Sequence, residues 1–366
     1  MKIKFIFRRT VTAFKIIIHF FLYPLVILLL LIILCLRPFI LIRIGFTKSK
    51  WVGEFLTRTE IYLQEKKKLK SKTIDFFIND TVVSNTLVNY KIKNKITVLP
   101  KFFFYDLYIT ILRLSMKNNF IYEHIPIIGL LEKNFKKSKF NYIFREHIPM
   151  RDEQGKDFSC SINKDNIILD ITEDEIKKGD DVINNVIKKK FKGIVLLCIR
   201  DHSYNKNFAQ NHDWSHLSYR NYDLKNFIPA AEYLANKGYL VLRMGKYSDY
   251  FFKNDHENII DYCNSEFRSD FMDYYLGYKC DFCISTHTGM DCFARHFQKP
   301  FGAIVNPLED IHFFDKNFTH IFGHFKNEIT KKKLTINEIF ENKMNLLSKI
   351  QETSKKKNTI LYLKKI

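Results

Sequence analysis

Arginines, hydroxyls and glycines recur at three points in the second half of this chain, each time directly after a short apolar run. Ile194–Ile199 ends in Arg200-Asp201, Tyr239–Leu242 in Arg243-Met244-Gly245, and Phe282–Ile284 in Ser285-Thr286-His287-Thr288-Gly289. A guanidinium group offers paired, charge-assisted donors, and a hydroxyl-rich turn opening a helix offers N–H groups to an anion. That chemistry suits a nucleotide diphosphate better than an apolar metabolite. Short apolar runs separated by helical patterns are the mark of buried strands in a parallel sheet. In such sheets a ligand sits beyond the carboxyl ends of the strands, which is where these residues fall.

Each residue also has a plainer use. Arg200 is placed to grip a phosphate, or to form a salt bridge between domains with Asp201 as a turn residue. Arg220-Asn221 precedes a helical pattern and could face the same cleft, and Arg243-x-Gly245 repeats the strand–arginine arrangement one βα unit later. His287 is a candidate base or a structural turn residue. Asp270 and Asp273 lie one helical turn apart, either to bind a sugar or ribose or to favour a helix start. The turn at Ser285–Gly289 lacks the terminal Gly-Lys-Ser/Thr of a P-loop, and there is no Gly-x-Gly-x-x-Gly fingerprint. No strand ends in the Asp-x-Asp of metal-dependent sugar transfer, so arginines and helix N-termini, rather than a divalent ion, are expected to stabilise a leaving diphosphate.

The bulk composition sets outer limits. The chain has 366 residues, 46% hydrophobic and 15% aromatic, enough for two domains with full cores. A formal charge of +20 points to anionic lipid, phosphorylated substrates or nucleic acid, or reflects the Lys-, Ile- and Asn-rich usage of AT-rich coding. Seven cysteines at irregular spacing argue against a disulfide framework. Cys280-x-x-Cys283 is half of a zinc pattern that nothing else completes, and no metal is expected.

Ile16–Leu36 is an almost unbroken apolar run of about 21 residues, long enough to cross a bilayer or, with Pro24 as a bend, to enter and leave on one face. A core helix of a soluble protein is the alternative. The expected layout is an anchor over residues 1–36, a first Rossmann-like α/β domain over 37–165, a second over 166–330 and a helical region over 331–366. Within it, strands are expected at Pro38–Gly45, Thr73–Ile78 and Ile96–Leu99, and helices at Gly53–Lys66, Asp106–Met116, from Thr172 to about Lys190, Leu224–Asn236, Ser269–Tyr278, Asp291–Phe297 and Leu334–Lys357. Lys136–Asp165 reads as an irregular connection.

The blocks IRDHSY, SYRN, RMGKYSD, IDYCNSEFRSDFMDYYL, DFCISTHTGMD and QKPFGAIVN, in that order, together with RPFILIRIGFTKSKWVGEFLTRTEIYL nearer the amino terminus, resemble a bacterial glycosyltransferase family of surface-polysaccharide gene clusters. The resemblance spans most of residues 37–310, and its strand ends are more distantly similar to fucosyltransferase-type enzymes of the GT-B fold. It implies two Rossmann-like domains, with the donor's nucleotide diphosphate held by Arg200, Arg220, Arg243 and the Ser285–Gly289 turn. Where the family tends to read Gly-His-Phe, this chain has Gly53-Glu54-Phe55. Glu54 is therefore a candidate general base or a capping carboxylate. The expectation is a membrane-associated, metal-independent, inverting hexosyl- or fucosyl-transferase. It would use a nucleotide-sugar donor without a further cofactor, and a lipid-linked or surface-glycan acceptor, on the cytoplasmic face of a bacterial inner membrane. The donor-site residues are Arg200, Asp201, Arg220, Asn221, Arg243, Gly245, Asp270, Ser285, Thr286, Thr288 and Gly289, with no nucleic-acid partner. Another sugar-nucleotide enzyme such as an epimerase, or a basic membrane scaffold without catalysis, stand as alternatives.

Overall fold

Six parallel strands form the larger sheet: β4 (Gly193–Cys198), β5 (Tyr239–Arg243), β6 (Ile259–Ile260), β7 (Phe282–Ser285), β8 (Phe301–Asn306) and β9 (Phe318–Phe322), in the order β6-β5-β4-β7-β8-β9. The chain winds outward from β4 to β6, then returns to the far side of β4 and winds outward again. This is the doubly wound order of a dinucleotide-type sheet, 3-2-1-4-5-6 when its strands are counted in sequence. The computed structural model describes residues 24–25, 27–29, 31–32, 35–36, 38–67, 72–101, 162, 164–208, 221–306, 317–322, 324–327, 332–341 and 360–363.

β4 is central, and its sequence says why. Ile194–Ile199 are all buried, so both faces of the strand are covered, as a continuous apolar run requires. Val195, Leu197 and Ile199 pack with Val241 and Ile259 against Leu224, Phe227, Ala231 and Ala235. The last four come from a 3-10 turn at Leu224–Phe227, capped by the Asp223 side chain, and from the helix Ile228–Asn236 that it leads into. The stretch Leu224–Asn236 is thus two segments, and Gly238 closes it at φ +87°, where a side chain would be strained.

Two compact units divide the chain. Among the described residues, the first takes in those up to Trp51, Tyr62–Asn85 and those from Asn89 to 101; the second takes in Val52–Ile61, Thr86–Val88 and everything from 162 onward. The first unit carries a three-stranded parallel sheet, β1 (Leu41–Thr47), β2 (Thr73–Asn79) and β3 (Thr97–Leu99), in that order. The connections between these strands contain α1 (Val52–Lys67) and α2 (Thr86–Lys93). Phe77 and Ile78 of β2 are buried, and the Phe77 ring meets Tyr62 edge-on at 5.0 Å. β1 starts three residues later than the expected Pro38, because residues 38–39 turn and the N–H groups of Phe39 and Ile40 both return to the Leu36 carbonyl. The fold is therefore mixed α/β with parallel sheets.

The remaining helices follow their local signals. α3 (Glu173–Val186) opens with the full Thr172/Glu175 capping box, each side chain bonding the other's backbone N–H. α4 is Ser203–Phe208, α5 is the Ile228–Asn236 helix, and α6 (Asp270–Lys279) is capped by Ser269. α7 is Cys292–His296, and α8 (Ile336–Glu341) starts from a Thr335–Glu338 exchange of hydrogen bonds. β10 (His324–Asn327) pairs antiparallel with β11 (Ile360–Leu363), so a strand follows the region expected to be helical through Lys357. The helix expected at Asp106–Met116 and nearly all of Lys136–Asp165 lie outside the described residues.

Most of the apolar segment Ile16–Leu36 also lies outside them. Its described residues are helical, and Leu25, Ile27, Leu28, Leu31, Ile32 and Leu36 are exposed. Among the described residues, no helix is long and apolar enough to cross a membrane.

Candidate functional site

The switch point of the larger sheet lies between β4 and β7, where the winding reverses. Cys198 and Ser285 are partners in register there, so the two strands end side by side. Beyond them the backbones remain tied: the Arg200 N–H donates to Thr286 Oγ1 at 2.8 Å, and the Thr286 N–H donates to the Cys198 carbonyl at 3.0 Å. Thr286 is buried and acts as the tie, whereas Arg200 is half-buried. Tyr222, just after Asn221, returns its N–H to the Arg200 carbonyl at 3.0 Å, which brings that segment to the same strand end. Arg220 lies outside the described residues.

The Ser285–Gly289 turn is organised around a carboxylate. Asp291 accepts from Ser285 Oγ at 2.6 Å and from the Thr288 N–H at 3.0 Å on one oxygen, and from Arg295 on the other. Ser285 Oγ in turn accepts the His287 N–H at 3.0 Å, and Thr288 Oγ1 accepts the Met290 N–H at 3.1 Å. His287 sits at φ 59°, in the left-handed region that a non-glycine side chain occupies at some cost. The hydroxyls expected to face an anion are thus occupied first in shaping the turn. Thr286 and Thr288 each act as acceptors in these bonds, so each keeps a proton to donate. The first residues of α1 lie against this turn: a β-carbon placed on Gly53 would sit 3.6 Å from both Gly289 Cα and its carbonyl oxygen. Glu54 is the next residue, paired with Arg58 one turn on at 3.3 Å. Burial lowers the Arg58 guanidinium from its ordinary value, and the Glu54 charge partly restores it.

Arg243 has a different fate. Its side chain is 1% exposed and held between two acids, with Nη1 3.2 Å from Asp261 Oδ1 and Nη2 3.2 Å from Asp201 Oδ2. Ser248 Oγ completes the group, 2.7 Å from Nη2 and 2.8 Å from Asp201 Oδ2. Asp201 also accepts the Ser203 N–H that opens α4, and Asp261 accepts the Phe252 N–H. The guanidinium therefore pins the ends of β4, β5 and β6 and the loop between β5 and β6. Gly245 is required for close packing rather than for ligand approach, since a β-carbon there would fall 2.6 Å from Cys263 Sγ.

A second charged cluster surrounds the start of α6. Asp270 accepts from the Thr86 N–H at 2.8 Å, from Lys246 at 3.0 Å and from Arg268 at 2.9 Å. Burial alone would raise its carboxyl, but these donors bring it below the usual carboxylate range. Asp273 is fully enclosed. Burial pushes its carboxyl up to about 6, against the pull of Arg268 and the Tyr262 hydroxyl that both bond to it. Cys198, Cys280, Cys283 and Cys292 are buried free thiols, and burial raises the last three. Among the described residues, no three His, Cys, Asp or Glu side chains converge as a metal site. A groove of about 630 Å³ beside the end of α3 and β6, lined by Lys188, Lys189, Glu257 and Phe267 among others, contains none of the strand-end residues.

No protein-family model and no curated protein matches this sequence. The structure is similar to those of three bacterial sugar transferases. E. coli ADP-heptose lps heptosyltransferase II aligns at 11% identity over 86% of this chain and 99% of its own, with a TM-score of 0.43. A glycosyl transferase family 9 protein from Veillonella parvula aligns at 12% over 77% of this chain and 85% of its own, with a TM-score of 0.42. E. coli heptosyltransferase WaaC with ADP aligns at 12% over 84% and 99%, with a TM-score of 0.40. At these scores the likeness carries no functional argument, which rests on the strand ends themselves.

Several residues that build this region carry no strand-end signature. Asp291 was legible as the fourth residue of Thr288-x-x-Asp291, a capping pattern, although its grip on Ser285 was not. Asp261, Ser248 and Lys246 answer to no spacing rule, because each bonds a residue from another segment, whereas Arg268 pairs with Asp270 and Asp273 just after it.

Proposed function

We propose that this chain is a glycosyltransferase that binds a nucleotide-sugar donor at the β4–β7 switch point and transfers the sugar to a surface-glycan acceptor. The observation that carries this reading is the meeting of Arg200 and the Thr286–Gly289 turn where the doubly wound sheet reverses. A crevice opens at such a point whatever the sequence, and here it is flanked by Arg200 and a tight turn with a glycine. In the proposed reaction the Arg200 guanidinium and the donors of the turn take up the charge that develops on the leaving diphosphate. No divalent ion is needed for that role. Glu54, beside the glycine that abuts Gly289, is the proposed general base for the acceptor hydroxyl. Attack from the face opposite the diphosphate would invert the anomeric centre, with a hexosyl- or fucosyl-type donor. The exposed leucines and isoleucines between residues 25 and 36 support membrane attachment near a lipid-linked acceptor, with the catalytic part on the cytoplasmic side.

Calorimetric titration with GDP, UDP, ADP and CDP tests the donor site. One of them should bind saturably, and Arg200→Ala should weaken it about tenfold to a hundredfold, the worth of a charge-assisted hydrogen bond. Absence of binding by all four would sink the proposal. Interconversion of a nucleotide sugar without acceptor would instead favour an epimerase.

A further inference from the structure

The loop between β5 and β6 combines two properties that rarely occur together: it is tightly held, and it displays aromatic rings to solvent. Its bonds are many. Ser248 Oγ is gripped by Arg243 and Asp201 and accepts the Tyr250 N–H at 3.1 Å. The Asp249 N–H donates to Ser203 Oγ at 3.0 Å, and the Asp249 carboxylate pairs with Lys206 at 2.9 Å. Asn264 donates to the Tyr250 carbonyl at 3.1 Å, and the Phe252 N–H donates to Asp261 at 2.9 Å. Yet Tyr247, Tyr250 and Phe251 are 41%, 46% and 67% exposed. Two of these rings meet aromatics that follow β4: Tyr247 lies 6.2 Å from Tyr204, tilted by 43°, and Tyr250 lies 5.9 Å from His202, edge-on.

We infer that Tyr247 and Tyr250, held by this loop and backed by Tyr204 and His202, form a stacking platform for the nucleobase of the bound nucleotide. Three arguments favour a base. The rings stand past the carboxyl ends of β4 and β5, on the loops that follow Arg200 and Arg243, so they belong to the same sheet edge as the proposed diphosphate grip. Every nucleobase has a π-face, so a rigid aromatic surface beside a cationic strand end suits a nucleotide and not a phosphate alone. A lipid surface is disfavoured, because pressing Tyr250 into it would also desolvate the adjacent Lys206–Asp249 pair.

The inference rests on the donor-site reading, and the experiment separates the two. The full chain is titrated with the nucleoside diphosphate it prefers and, separately, with inorganic pyrophosphate, which lacks a base. Tyr247→Ala and Tyr250→Ala should each weaken the nucleoside diphosphate about fivefold to a hundredfold and leave pyrophosphate unchanged. Tyr250→Phe should restore most of the affinity, since it keeps the ring. Unchanged nucleoside diphosphate affinity in both alanine variants overturns the platform while leaving the diphosphate grip intact. Equal weakening of both probes also overturns it, because the rings would then act on the phosphates or on the fold. If the alanine variants instead lose only binding to anionic phosphatidylglycerol vesicles, the rings serve a membrane and the platform falls. Loss of pyrophosphate binding in the unaltered chain would count against the donor site itself.

Discussion

The ends of β4 and β5 look alike in sequence, each an apolar run closed by an arginine, and the folded chain uses them in opposite ways. At β5 the arginine is enclosed by Asp201, Asp261 and Ser248 and becomes a strut. At β4 the arginine is half-buried, and its backbone N–H is tied to Thr286 beyond β7. The difference is set by neighbours that lie far away in sequence. Two carboxylates from other loops converge on Arg243, and burial without them would be prohibitive for a guanidinium. A strand-end arginine is therefore no sign of a ligand by itself, since the fold can deliver acids to it.

This contrast is open to direct attack. The largest effect should come from Arg243→Met, which leaves Asp201 and Asp261 facing each other in a mostly buried site. Chemical denaturation should show a loss of about 3–5 kcal/mol, against a smaller loss for Arg200→Ala at a half-buried position. Equal losses would erase the distinction between strut and grip. Next in size is the braced start of α6. Asp273, raised to about 6 by burial, binds its proton more tightly folded than unfolded. Its ionisation therefore costs stability as pH rises from about 4 through 6, and the cost is absent below the unfolded value. Relative to Asp273→Asn, the unaltered chain should lose stability between pH 4 and pH 7, as followed by thermal unfolding. A flat difference would mean that Arg268 and Tyr262 fully compensate the burial. The smallest effect belongs to the tie between β4 and β7. Thr286→Val keeps the shape but strands the Arg200 N–H, and should cost about 1–3 kcal/mol of stability. It should also weaken nucleotide binding through the displaced Arg200 backbone.

How much of this was readable beforehand depended on where the determining contacts lie. β4, β5 and β7 were legible because strands covered on both faces must be apolar throughout, and α3 because its capping box is local. β6 has only two residues, too few for any period. β9 carries Thr319 and His320 within its run, as an edge strand can, and so hides its pairing with β8. β11 lies beyond a lysine-rich stretch that reads as helix, and its partner β10 is more than thirty residues away. The arginine at the end of β5 was expected to hold a diphosphate and is instead enclosed by two acids. Its partner Asp261 follows eighteen residues later, a separation that no helical or strand period links.

The buried thiols offer something unrelated to catalysis. Cys198, Cys280, Cys283 and Cys292 lie in the wall of the sheet and its covering helices, with no exposure to solvent, and burial raises the last three thiols. A thiol-reactive dye can reach them only when that wall opens. With the exposed Cys35 and with Cys160 and Cys263 replaced by serine, the rate of labelling becomes a clock for breathing of the sheet wall, and a nucleotide that settles against it should slow it.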